Sequence, residues 1–138
     1  MTDTFPGSET LLLLDSDPLT RTIFQETLEG AGYFVMSTAN IGAAVDRLKK
    51  MRPDLLIVRA YIDGMSGHMA AQYLRSRCPG LPVLMVGGFI DDDRTRVRKE
   101  IDDFHIFPQP FAADELLRTV KEVLRGLHEK SAPNVPGH

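Results

Sequence analysis

Five short apolar runs limit what this chain can become: Leu11–Leu14, Phe34–Met36, Leu55–Val58, Val83–Val86 and Phe104–Phe107. Each is too short for a self-burying helix, and turn residues such as Gly32, Pro53 and Pro82 stand nearby. Continuous apolar runs of this length suit strands covered on both faces. The segments between them have helical spacing. Ile23, Thr27, Leu28 and Ala31 share a face after Asp17-Pro18, an N-cap followed by Pro in the first turn. Ile41, Ala44, Val45 and Leu48 form a second face behind Asn40, and Ala70, Tyr73 and Leu74 a third behind Ser66. The strongest face is Leu116, Leu117, Val120, Val123, Leu124 and Leu127. Strands alternating with helices predict a parallel sheet with right-handed crossovers, an α/β fold in three layers, α/β/α.

With 138 residues, 43% of them hydrophobic, the chain has the size and apolar content of one folded domain. The expected organisation is a leader over 1–9, a domain over 10–128 and a disordered tail over 129–138. Sixteen basic against nineteen acidic residues leave a net charge of -3, without the basic excess that a nucleic-acid partner usually requires. A single cysteine, Cys78, excludes an intramolecular disulfide and a cysteine-based zinc cage. No apolar run approaches the ~20 residues that span a bilayer, so the expected location is cytoplasmic.

In an open parallel sheet the ligand site lies beyond the carboxyl ends of the strands. That directs attention to Asp15-Ser16-Asp17, Arg59-Ala60-Tyr61, Gly87-Gly88 and Pro108-Gln109-Pro110-Phe111. His68, His105 and His128 have no second ligand at metal spacing, and Cys78 has no evident base. Gly87-Gly88 matches neither the Rossmann nor the Walker spacing of glycines. No nucleophile–base pair emerges, so no enzymatic role is expected.

From about Leu11 to Leu127 the chain resembles the receiver domain of two-component response regulators, the CheY-like family. The residues carrying the resemblance are Leu12-Leu13-Leu14-Asp15-Ser16-Asp17-Pro18, Ala31-Gly32-Tyr33, Pro53-Asp54-Leu55-Leu56-Ile57-Val58, Gly64-Met65-Ser66-Gly67, Leu81-Pro82-Val83 and Gln109-Pro110-Phe111. The resemblance implies a doubly wound, five-stranded, flavodoxin-like sheet of order 2-1-3-4-5. It also implies a mechanism: an aspartate at the end of the third strand takes a phosphoryl group from a histidine kinase. An acidic pair after the first strand holds Mg²⁺, and a Thr or Ser and a Lys contact the phosphate.

Set against that pattern, Asp15 matches the first acidic position, but Ser16 falls at the second, with Asp17 beside it. Arg59 falls at the phosphoacceptor position, Gly87 at the hydroxyl position and Gln109 at the lysine. Ile106 takes the place of an aromatic switch residue, and Asp63 that of a common loop proline. Mg²⁺ needs about six oxygen ligands, and this pocket has lost carboxylates and gained a cation, so metal binding is expected to be weak or absent. Arg59 is expected to pair with Asp15, or with Asp17 if that side chain turns inward. At an effective dielectric near 20, a pair at ~4 Å gains roughly 4 kcal/mol before desolvation.

The function expected is that of a pseudo-receiver, a signalling module independent of phosphorylation that works by protein–protein contact. Its partner would be a histidine kinase, a phosphotransfer protein, another regulator or a second copy. Two alternatives stand beside it: a working receiver with an unusual site using Asp15 and Asp17, and a sensor holding a small anion on Arg59 and the glycine amides. The resemblance places the partner face on the segment Asp91–Glu100, the fifth strand and the last helix. Arg94, Val97, Arg98, Ile106, Leu116 and Val120 are its expected residues.

Overall fold

The computed structural model describes residues 9–62, 64–87, 104–107 and 113–130, with side chains excepted at 104–107 and 127–130. Residues 1–8 of the leader expected over 1–9, residues 131–138 of the tail expected over 129–138, the segment 91–100, Asp63 and Gln109 lie outside the described residues, while Glu129 and Lys130 belong to the last helix.

The elements follow the alternation of the sequence. Strand β1 (Thr10–Leu14) leads to helix α1 (Pro18–Gly30), β2 (Phe34–Thr38), α2 (Ile41–Lys50) and β3 (Leu55–Arg59). A small antiparallel hairpin, β4 (Tyr61–Ile62) with β5 (Met65–Ser66), precedes α3 (Gly67–Arg77). Then come β6 (Val83–Val86), β7 (Phe104–Phe107) and α4 (Ala113–Lys130). The main sheet has five strands in the order β2-β1-β3-β6-β7, all parallel. Counting the strands of this sheet alone, that is 2-1-3-4-5, as expected.

The three layers follow from the two-residue period of a strand. In β1, Leu11 and Leu13 enter one core with Phe24 and Leu28 of α1 and Leu116, Val120, Val123 and Leu124 of α4. Leu12 and Leu14 enter the opposite core with Ala44 of α2 and Ala70, Ala71 and Leu74 of α3. All four leucines are fully buried, each adding about 2 kcal/mol of transfer free energy before chain entropy is counted.

The helix starts are set by local chemistry. Asp17, Asn40 and Ser66 each accept a hydrogen bond from the backbone N–H three residues on, which satisfies a donor the helix leaves unpaired. The face of α1 differs from expectation. Ile23 is 53% exposed and Ala31 is exposed beyond the helix, while Phe24 and Leu28 are buried. The Asp17 cap sets the phase of the helix, and that phase turns the larger Phe24 ring onto the sheet. In α3, Ala70 and Leu74 are buried as expected, joined by Ala71, and Tyr73 is turned outward.

Candidate functional site

The sheet register brings Asp15 and Arg59 together. Leu14 lies opposite Val58 in the β1–β3 ladder, so Asp15 and Arg59, one residue further on, emerge side by side at the carboxyl edge. Leu13 and Ile57 belong to the core under α1, and alternation sends Asp15 and Arg59 to that same side. The Arg59 guanidinium carbon lies 5.9 Å from the centre of the Phe24 ring on α1, within cation–π range.

Asp15 is 1% exposed. Its backbone is held on two sides: its N–H donates to the Thr38 carbonyl at 3.1 Å, and its own carbonyl accepts from Arg21 Nη1 at 2.8 Å. Its Oδ1 accepts the Asp17 N–H at 3.0 Å and stands 3.8 Å from Arg59 Nε. That last separation is an ion pair but too long for a hydrogen bond. Asp15 Oδ2 and Arg59 Nη1 are both buried with no hydrogen-bond partner among the described residues. Burial pushes the Asp15 carboxyl above the usual carboxylate range, against the opposing pull of the Asp17 N–H and the Arg59 charge.

Asp17 is not turned into this pocket. Its Oδ2 accepts from the Thr20 N–H at 2.8 Å and from the Thr20 hydroxyl, closing the first turn of α1. These bonds, the hydroxyl first, hold its carboxyl below the ordinary value. Of the two acids on this loop, one caps a helix and one faces Arg59. Ser16 lies half-buried between them.

Gly87 is buried just past β6, at a φ of 98° that favours glycine. Its neighbour Val86 accepts the Ala60 N–H at 2.9 Å, which ties the edge of β6 to the chain beyond Arg59. Gln109 lies outside the described residues.

Gly67, the last residue of the Gly64-Met65-Ser66-Gly67 motif, has a packing role that the motif alone does not show. A Cβ at Gly67 would sit 2.1 Å from the Arg59 carbonyl oxygen and 3.1 Å from Ala60 Cα. The Gly67 N–H also donates to the Ala60 carbonyl. The first turn of α3 thus rests backbone on backbone against the residue that carries the guanidinium. The signal was present as Gly directly after the Ser66 cap, where a glycine has no local reason to be.

The expected partner face needs correction. Leu116 and Val120 are 1% and 0% exposed and pack with Phe24, Leu28 and Ile57 under the sheet. They face the core because α4 has a single apolar stripe and the sheet claims it. Ile106 lies opposite Met85 in the β6–β7 register, and its side chain is not among those described. Arg94, Val97 and Arg98 lie outside the described residues.

Residues 11–121 match the model of the response regulator receiver domain. The chain belongs to the receiver family. It is 27% identical over 117 residues to sporulation initiation phosphotransferase F of Bacillus subtilis, covering 85% of this chain and 94% of that protein. It is 26% identical over 121 residues to the DNA-binding transcriptional regulator NtrC of Escherichia coli, covering 88% of this chain. The receiver spans about a quarter of the length of that regulator, 26%. Among solved structures, chemotaxis response regulator CheY4 of Vibrio cholerae superposes with a TM-score of 0.73 at 25% identity, over 83% of this chain and 98% of that one. This CheY-like fold is the α/β architecture expected from the apolar runs.

Among the described residues, no helix is long and apolar enough to cross a membrane, and no group of three or more His, Cys, Asp or Glu converges as a metal site. Receivers are associated with Mg²⁺ by the resemblance. The buried carboxylate that would face it already faces a guanidinium at 3.8 Å, and the second acid of the loop is committed to capping α1.

Proposed function

We propose that this receiver signals without accepting phosphate at the usual place, as a pseudo-receiver that acts through protein–protein contact. The observation that carries the proposal is the placement of Arg59 at the carboxyl end of β3, 3.8 Å from the buried Asp15. By the family resemblance, that is where the phosphoacceptor aspartate stands. A guanidinium forms no acyl phosphate, and its charge repels the divalent cation that the reaction uses. Mg²⁺ binding is therefore weak or absent, the domain is not an enzyme, and its partner is a protein: a kinase, a phosphotransfer protein, another regulator or a second copy. Neither nucleic acid nor membrane is a direct partner, and the protein acts in the cytoplasm.

One observation supports a second reading, the small-anion sensor. Arg59 Nη1 is buried without a hydrogen-bond partner among the described residues. The Asp15 carboxylate beside it opposes an anion, which places this reading second. The working-receiver alternative needs Asp17 as a metal ligand, and its carboxylate is occupied by Thr20.

The test is an amide NMR titration with Mg²⁺ and then acetyl phosphate, with intact mass measured after each addition. The Asp15, Arg59 and Gly87 amides are expected to stay in place, with no added phosphoryl group in the mass. Movement of those signals together with a gain of one phosphoryl group overturns the proposal.

A further inference from the structure

Helices α2 and α3 pack side by side on the face of the sheet away from Arg59, and between them runs a groove of about 620 Å³. Ile41, Val45 and Met65 form its floor, half-buried against the core. Met69 and Tyr73 form a wall, 58% and 44% exposed. Gly42 and Val45 line the groove from the α2 side. The groove sets two exposed apolar side chains beside a half-buried apolar floor. The Tyr73 ring is held in place by Arg77, whose guanidinium carbon lies 4.3 Å from the ring centre, so little side-chain freedom remains to be lost on binding.

The basic residues of the two helices gather at one end of the groove, and the one charged side chain that lines the groove itself is Asp46. Helix α2 ends in Arg47, Lys49 and Lys50, and α3 carries Arg75 and Arg77 in its last turn. The one acid on the two helices is Asp46, in a chain whose net charge is -3. Both helices return from the carboxyl to the amino end of parallel strands, so these basic turns lie together beyond one end of the apolar trough. An open trough encloses too little of a small molecule to be its pocket, but it suits the apolar face of a helix.

We propose that the α2–α3 groove is the docking site for an acidic amphipathic helix of a partner protein. Its apolar stripe fills the trough over Val45, Met65 and Met69, and its carboxylates meet the basic last turns of α2 and α3. This names the contact surface for the protein–protein function proposed above and rests on that reading.

The test uses the full chain, labelled with ¹⁵N, and a synthetic helix with Leu at i, i+3, i+4 and i+7 and Glu on its flanks. A matched helix with Lys in place of Glu serves as control. Amide shifts are expected over Ile41–Lys50 and Met65–Arg77 with the Glu helix and not with the Lys helix. Tyr73→Glu and the pair Lys49→Glu/Lys50→Glu, all on exposed positions, are each expected to weaken binding about tenfold, as loss of an anchor does. No binding, equal binding of the Lys helix, shifts centred on α1, or self-association through the groove in sedimentation overturns the proposal. Repeating the titration with Mg²⁺ and acetyl phosphate separates the two inferences. Unchanged affinity supports both, whereas an affinity that follows phosphorylation leaves the groove standing and sinks the pseudo-receiver reading.

Discussion

Replacing Arg59 by Met keeps most of the side-chain stem over Phe24 and deletes the charge beside Asp15. At the observed 3.8 Å, an effective dielectric of about 20 gives an attraction of roughly 4 kcal/mol before desolvation. Removing one partner from a buried pair costs about 3–5 kcal/mol, because the other charge stays buried alone. Arg59 is 21% exposed, so water screens part of this, and a loss of about 2 kcal/mol is expected at pH 7. For a domain of this size that lowers the Tm by roughly 6–10 °C. The pH dependence carries the sign. Burial raises the Asp15 pKa, so the native state holds that proton more tightly than the unfolded chain. The stabilisation from protonated Asp15 is complete below the ordinary value of 3.8 and is lost as pH rises through the native pKa. Arg59 offsets part of that loss, so the gap between parent and Arg59→Met is widest at neutral pH and closes as pH falls towards 3.8. The assay is urea unfolding at several pH values, completed to a double-mutant cycle with Asp15→Asn, which keeps an acceptor for the Asp17 N–H. A coupling of about 1.5 kcal/mol is expected. An Arg59→Met variant within about 0.3 kcal/mol of the parent at pH 7, with no coupling, refutes the ion-pair account.

Gly67→Ala puts a methyl group 2.1 Å from the Arg59 carbonyl oxygen, a backbone atom with no side chain to swing aside. A loss of about 3 kcal/mol or more is expected in thermal melts, and unchanged stability contradicts the close packing of α3 on β3. Leu116→Ala is expected to cost about 3 kcal/mol in denaturant unfolding as a core truncation, whereas a surface position at this site would cost next to nothing. Asn40→Ala removes the bond to the Ala43 N–H and is expected to cost about 1 kcal/mol, read as a lower urea midpoint at unchanged slope.

The five strands were legible because each run is apolar at consecutive positions, which a strand buried on both faces requires and an amphipathic helix does not. The three caps were legible because Asp17, Asn40 and Ser66 act on N–H groups three residues away, an interaction contained in the local sequence. The pairing of Asp15 with Arg59 was expected through the family resemblance alone, since nothing local joins residues 44 positions apart. The register of Leu14 with Val58 makes them neighbours.

Four features needed the assembled fold. The face of α1 was misjudged because Ile23 and Phe24 are both apolar and adjacent, and helical phase against the sheet decides between them. Leu116 and Val120 were assigned to a partner surface because an apolar stripe looks the same whether a sheet or a partner covers it, and here the sheet does. Gly67 left one mark in the sequence, a glycine directly after the Ser66 cap, but its packing role and the α2–α3 groove depend on how closely separate backbones approach. The sequence by itself determined which segments form the five strands of the main sheet and its helices, and where α1, α2 and α3 begin, because those choices rest on periodicity and on contacts within a few residues; the short β4–β5 hairpin was not among them. The tertiary structure decided which side chains meet, which faces are covered and which remain open, because only packing brings distant residues within reach of one another.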